Sequence, residues 1–191
     1  MRKFLNSEQN GRSMVEMLGV LAIIGVLSVG GISGYSKAMA KFKMSKAMDQ
    51  MSMTVANIRT AYGSMSSYAD LDDDAAITYG LVGADMLNSD KDTIINAFSG
   101  EVHIKSATVN GIENAGFSIV YNGLDRDACL GLATADWGTA GILGMTVGGA
   151  KVDDAGEAPD ITVDQLPVSL KTAAEKCTAI TAANAITWYY Y

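Results

Sequence analysis

Met17-Leu18-Gly19-Val20-Leu21-Ala22-Ile23-Ile24-Gly25-Val26-Leu27-Ser28-Val29-Gly30-Gly31-Ile32-Ser33-Gly34-Tyr35-Ser36 is a run of twenty residues without a charge. A helix needs about 20 such residues to cross a bilayer. A secretory signal has a shorter apolar core followed by a small-residue cleavage site, whereas this run flows into further helical pattern. Its five glycines would weaken a helix in water; in a membrane, small residues let neighbouring helices approach closely. The run reads as a membrane span.

Downstream, Met44, Met48, Met51, Val55, Ile58 and Tyr62 recur at spacings of four and three, which places them on one helix stripe. Lys37, Lys41, Lys43, Lys46, Asp49, Gln50, Asn57 and Arg59 mostly fill the other faces, and Gly63 is a stop signal. The pattern predicts one helix of about fifty residues, roughly 75 Å long. Its apolar half needs lipid or other helices around it, and its amphipathic half can cover a globular head.

Charge is segregated along the chain. Arg12 to Gly63 holds six basic residues against Glu16 and Asp49, a net of +4; Ser64 to Tyr191 holds six against 18 acidic ones, a net of −12. So acidic a head argues against nucleic-acid binding. The lysines from Lys37 to Lys46 are read as a solvated helix face or as partners for acidic heads.

Glu16 is costly at the start of an apolar run. Ser13-Met14-Val15-Glu16 offers a capping box near the positive end of the helix dipole. An intermolecular partner for the carboxylate is the other reading. Cys129 and Cys177 are the two cysteines; they form a disulfide in an exported chain, worth roughly 4 kcal/mol on chain-entropy grounds, or two buried thiols in a cytosolic one.

The segment Gly11-Arg12-Ser13-Met14-Val15-Glu16-Met17-Leu18-Gly19-Val20 resembles the processing site of type IV prepilins. The resemblance implies a leader, residues 1–11, cut after Gly11 by a prepilin peptidase of the inner membrane. Arg12 becomes the N-methylated amino terminus, and Glu16 takes the place of the family's assembly glutamate. The implied organisation continues with a transmembrane and polymerisation helix over 12–36, an amphipathic half over 37–63 and a pilin head over 64–191. Asn96-Ala97-Phe98-Ser99-Gly100 is similar to a type IVb segment that usually carries proline at the position of Ala97. Gly123 to Thr134 and Ala173 to Cys177 resemble the two cysteine-bearing regions of that group, which implies a Cys129–Cys177 disulfide. The nearest resemblance is to bundle-forming pilins and to the thin-pilus pilins of conjugative plasmids.

These relationships imply a homopolymer built by inner-membrane assembly machinery, held in the membrane before assembly and at the cell surface afterwards, serving adhesion, aggregation or mating contact. The amine of Arg12 would lie about 6 Å along the helix axis from Glu16, so a staggered neighbour's amine can meet that carboxylate. Arg2, Lys3 and Arg12 favour a cytoplasmic leader, in competition with the lysines at the far end of the span. A minor pilin, a secretion-system pseudopilin and a non-polymerising anchored adhesin remain as alternatives. No cofactor, metal or enzyme activity is expected. Asp70, Asp72 and Asp74 have calcium-loop spacing, but Ala75 and Leu81 stand where glycine and glutamate are needed, so they read as a solvated loop. His103, the single histidine, reads as an exposed strand residue.

For the head, alternation predicts strands over Glu101–Ser106, Phe117–Tyr121, Ile142–Val147 and Ala185–Tyr191, with a helix after Asp125. Trp188 to Tyr191 fits a terminal strand packed on the helix or an aromatic binding patch. The fold class is α+β: a long N-terminal helix packed on an antiparallel sheet head that carries a C-terminal disulfide.

Overall fold

The computed structural model describes residues 14–138, 140–149, 152 and 158–191. Its first element, α1, runs Met14–Tyr62, 49 residues, close to the length expected from the pattern. The chain divides into two compact units, Met1–Lys41 and Phe42–Tyr191. In the first, every described residue is helical, and all but Met39 are exposed.

The second unit begins within α1. Met51, Val55, Ile58 and Tyr62 are buried, and Met44 and Met48 pack against the same core. Ala47, Gln50 and Thr54 widen the stripe. The helix stops at Tyr62, immediately before Gly63. A short helix, α2 (Asp73–Thr78), follows, and then a 3-10 turn at Ala84–Met86. The stretch through Asp74 reads as loop in the sequence; α2 corrects that reading. Asp72 Oδ1 accepts the Ala75 amide at 2.7 Å, while Asp73 and Asp74 favour the positive end of the helix.

Among the described residues, five strands form one antiparallel sheet: β1 (Val102–Val109), β2 (Ile112–Leu124), β3 (Ile142–Val147), β4 (Ile161–Thr162) and β5 (Asn184–Tyr190). Their order is β1-β2-β5-β3-β4, so the last strand of the chain lies in the middle. Phe117, Ile119 and Tyr121 stand opposite Tyr190, Trp188 and Ile186; Met145 and Val147 stand opposite Trp188 and Ile186 on the other side. Successive side chains alternate between faces, so these residues share one face and join the α1 stripe in a single core. Trp188 is fully buried, edge-on to Tyr121 at 5.3 Å and to Trp137 at 5.1 Å between ring centroids. Trp188 to Tyr190 are therefore a core strand, with Tyr191 exposed beyond it, and the patch alternative for Trp188 falls away.

Between β2 and β3 lies α3 (Arg126–Ala133), capped by Asp125 Oδ1 on the Ala128 amide at 2.7 Å. Before β5 lies α4 (Leu170–Lys176), capped by Ser169. Cys129 of α3 and Cys177, the residue closing α4, are joined in a disulfide across 48 residues, with 5.8 Å between their Cα atoms. Both are fully buried, so the α+β class and the disulfide are borne out.

Candidate assembly surface

The first unit presents an apolar helix surface without cover. Twelve large apolar residues between Met14 and Ile32 are exposed, from 47% at Met17 to 82% at Met14. An 18-residue window of α1 has a mean hydropathy of 2.2 and no buried share. At about 1.5–3 kcal/mol per large side chain, removing this surface from water is worth on the order of 20 kcal/mol. A Cβ built on Gly19, Gly25, Gly30, Gly31 or Gly34 meets nothing within 4 Å. At 100° per residue, Glu16, Gly19, Ile23, Gly30 and Gly34 fall within one 60° sector of the helix. Glu16 stands exposed in the first turn of α1, beside the positive end of the helix dipole. Gly11, Arg12 and the Ser13 half of the capping box lie outside the described residues.

In the second unit, polar side chains tie loops to the core. Asn96 Oδ1 accepts the Phe98 and Gly100 amides at 2.9 and 3.1 Å, and its Nδ2 donates to the Asn122 carbonyl at 2.9 Å. This closes the segment that resembles the type IVb motif; none of these bonds involves a side chain at 97, so alanine serves there. Gly100 is needed for a different reason. A Cβ at this position would stand 1.8 Å from the Asn122 carbonyl oxygen. Asn184 acts similarly, donating from Nδ2 to the carbonyls of Leu124 at 3.0 Å and Ala179 at 2.8 Å.

The expectation for one charged residue, His103, needs correction, and another, Lys46, gains a partner. His103 is half-buried: Nδ1 lies 2.8 Å from Asp73 Oδ2, and Nε2 lies 3.9 Å from Glu101 Oε2. Asp73 Oδ1 also accepts the Ile104 amide, so one carboxylate fastens α2 to β1. His103 and Asp73 are thirty residues apart, and strand alternation alone carries no sign of the pair. Lys46 lies on the expected solvated helix face, its side chain 38% exposed, and pairs there with Asp85 of its own chain at 3.0 Å. Hydrogen bonds from Lys46 and then from Gln50 Nε2, at 2.9 Å, hold the Asp85 carboxyl below its ordinary range. Among the described residues no group of three or more His, Cys, Asp or Glu side chains is placed to hold a metal.

The family model for the PilS N-terminal region matches residues 41–190. The chain belongs to the PilS N-terminal family. It is similar to the major structural subunit of bundle-forming pilus of Escherichia coli O127:H6 (strain E2348/69 / EPEC), with 24% identity over 190 residues, 98% of this chain and 97% of that one. It is also similar to the toxin coregulated pilin of Vibrio cholerae, with 28% identity over 159 residues, 78% of this chain and 70% of that one. Two solved structures share the fold. TcpA, a type IV pilin from Vibrio cholerae El Tor biotype, has a TM-score of 0.52 at 21% identity and covers 78% of this chain and 99% of its own. The type IV b pilin from Salmonella typhi has a TM-score of 0.54 at 20% identity, covering 75% and 97%. This PilS-family chain therefore has the fold of the type IV pilins.

Proposed function

We propose that this pilin is the polymerising subunit of a type IVb pilus, with its N-terminal helix buried first in the inner membrane and then among the helices of other copies. One observation carries the reading: a long helix surface, apolar on every side and without cover, on a chain whose head is independently packed and disulfide-bonded. Such a surface demands an apolar surrounding that the described residues do not supply.

Prepilin peptidase removes residues 1–11 after Gly11, and Arg12 becomes the methylated terminus. The polymerisation helix then runs over 12–36, its amphipathic continuation over 37–63, and the head over 64–191. The new amine of an incoming subunit meets Glu16 of its neighbour, neutralising two charges that are each costly in an apolar filament core, and this sets the register of addition. The inner-membrane pilus machinery performs that addition, and the finished filament acts at the cell surface in adhesion, aggregation or mating contact.

The test is the intact mass of protein sheared from the surface of native cells. A species beginning at Arg12, one methyl heavier and two hydrogens lighter, supports cleavage, methylation and filament formation together. Recovery of only the uncleaved chain from membranes would overturn the filament reading and favour an anchored adhesin.

A further inference from the structure

Lys37 is the first charge after the apolar run, and Lys41 follows one turn later on the same face. Twenty helical residues from Met17 to Ser36 rise about 30 Å, the thickness of the hydrocarbon core. With Glu16 at one boundary, Lys37 falls at the level of the phosphates on the other side, and Lys41 about 6 Å further out. Both lysines are exposed, and neither has an ion pair among the described residues. Lys46 differs, being bound to Asp85 of its own chain. Along the helix, Gly30 and Gly34 lie beneath Lys37, and a Cβ on either meets nothing within 4 Å, which leaves a shallow lane beside the backbone. Tyr35, 67% exposed on another side of the helix, adds the amphipathic ring that favours a membrane–water interface.

We propose that Lys37 and Lys41 form a binding surface for anionic phospholipid headgroups, on the leaflet opposite the leader. The proposal rests on the reading of Met17–Ser36 as a membrane span. Two flexible ammonium groups one helical turn apart suit a lipid phosphate, and their stems can lie along the apolar helix while the charges reach the interface. A lysine held near an anionic surface favours it by a factor of roughly five. This attraction opposes the cytoplasmic preference of positive charge and holds the outer end of the helix at its leaflet until the subunit is withdrawn for assembly.

The full chain, leader included, is purified in neutral maltoside micelles doped with equal amounts of phosphatidylglycerol and phosphatidylcholine, and retained lipid is counted by native mass spectrometry. Wild type is expected to retain phosphatidylglycerol preferentially. The double variant Lys37→Gln/Lys41→Gln should lower that preference at least five-fold, while Arg2→Gln/Lys3→Gln at the other end leaves the Lys37/Lys41 contribution in place. Both double variants alter exposed or leader positions, so the head's tryptophan fluorescence should stay unchanged. Alkaline carbonate extraction of membranes runs in parallel. Release of the wild-type chain by carbonate would overturn the span and the lipid surface together. A retained chain whose lipid preference survives Lys37→Gln/Lys41→Gln would overturn the lipid surface alone. If filament yield then fell in that variant, the lysines would belong to the acidic head of a second copy.

Discussion

The guanidinium carbon of Arg59 lies 5.4 Å from the centroid of the Tyr190 ring. The same guanidinium donates to the Ala140 carbonyl at 3.2 Å and to the Tyr191 carbonyl at 3.4 Å. One side chain near the end of α1 thus fastens the end of the chain and the loop before β3. Tyr190 itself stacks at 5.3 Å on Phe117, which meets Tyr68 and, through it, Tyr62.

Arg59→Ala should cost about 1–2 kcal/mol of head stability, from the lost cation–π contact and hydrogen bonds. Arg59→Lys keeps the charge but not the planar fork, and should recover less than half of that loss. Chemical denaturation followed by the fluorescence of Trp137 and Trp188 measures both. Identical stability of Arg59→Ala and wild type would show that the contact contributes nothing.

Gly100→Ala should be strongly damaging to the head. The added carbon stands 1.8 Å from a backbone oxygen, so the start of β1 or the end of β2 must move, at a cost of roughly 3 kcal/mol or more. Asn96→Ala strips partners from the Phe98 and Gly100 amides and the Asn122 carbonyl, at about 1–3 kcal/mol for each buried group left unpaired. Both variants should show lower denaturation midpoints, with Gly100→Ala the lower of the two if the clash dominates.

Replacing both Cys129 and Cys177 with serine removes a cross-link over 48 residues. The expected loss is roughly 4 kcal/mol, read as a fall in the thermal midpoint of the head. A midpoint within a degree of wild type would mean that the packing of α3 and α4 suffices.

Alkaline pH should unfold the head. Burial raises the phenol pKa values of Tyr62, Tyr121, Tyr189 and Tyr190 above the ordinary 10.0, that of Tyr190 to about 12. For Tyr190 the neighbouring Arg59 charge opposes part of this rise. The folded state favours the neutral phenols, so their contribution is complete below pH 10 and is lost as pH rises toward 12, reaching roughly 2–3 kcal/mol for Tyr190. Absorbance at 295 nm and far-UV circular dichroism should therefore change together above pH 10. Smooth ionisation of these tyrosines at pH 10 in a folded head would contradict the burial.

Much of the fold was legible in the sequence because it is written in local periods. The α1 stripe from Met44 to Tyr62 and the alternation of Ile142–Val147 each report one face of one element. β2 extends further than Phe117–Tyr121 because pairing with β1 and β5 carries the strand through polar and glycine positions, past the left-handed backbone of Asn114 and Gly123. The helix α2 hid in a run of aspartates, where its cap and first turn resemble a solvated loop. The His103–Asp73 and Lys46–Asp85 pairs span thirty residues or more, and no spacing rule links such positions.

The sequence by itself determined that this protein carries a helix too apolar to stand alone and an acidic head. Those properties depend on side-chain chemistry and on spacing along a single helix, so they survive without knowledge of the fold. The tertiary structure alone decided that β5 occupies the centre of the sheet, that Trp188 is core and that Lys46 pairs within its own chain. These are matters of which distant segments meet, settled by burying one common apolar face and by finding partners for the polar groups that burial strands.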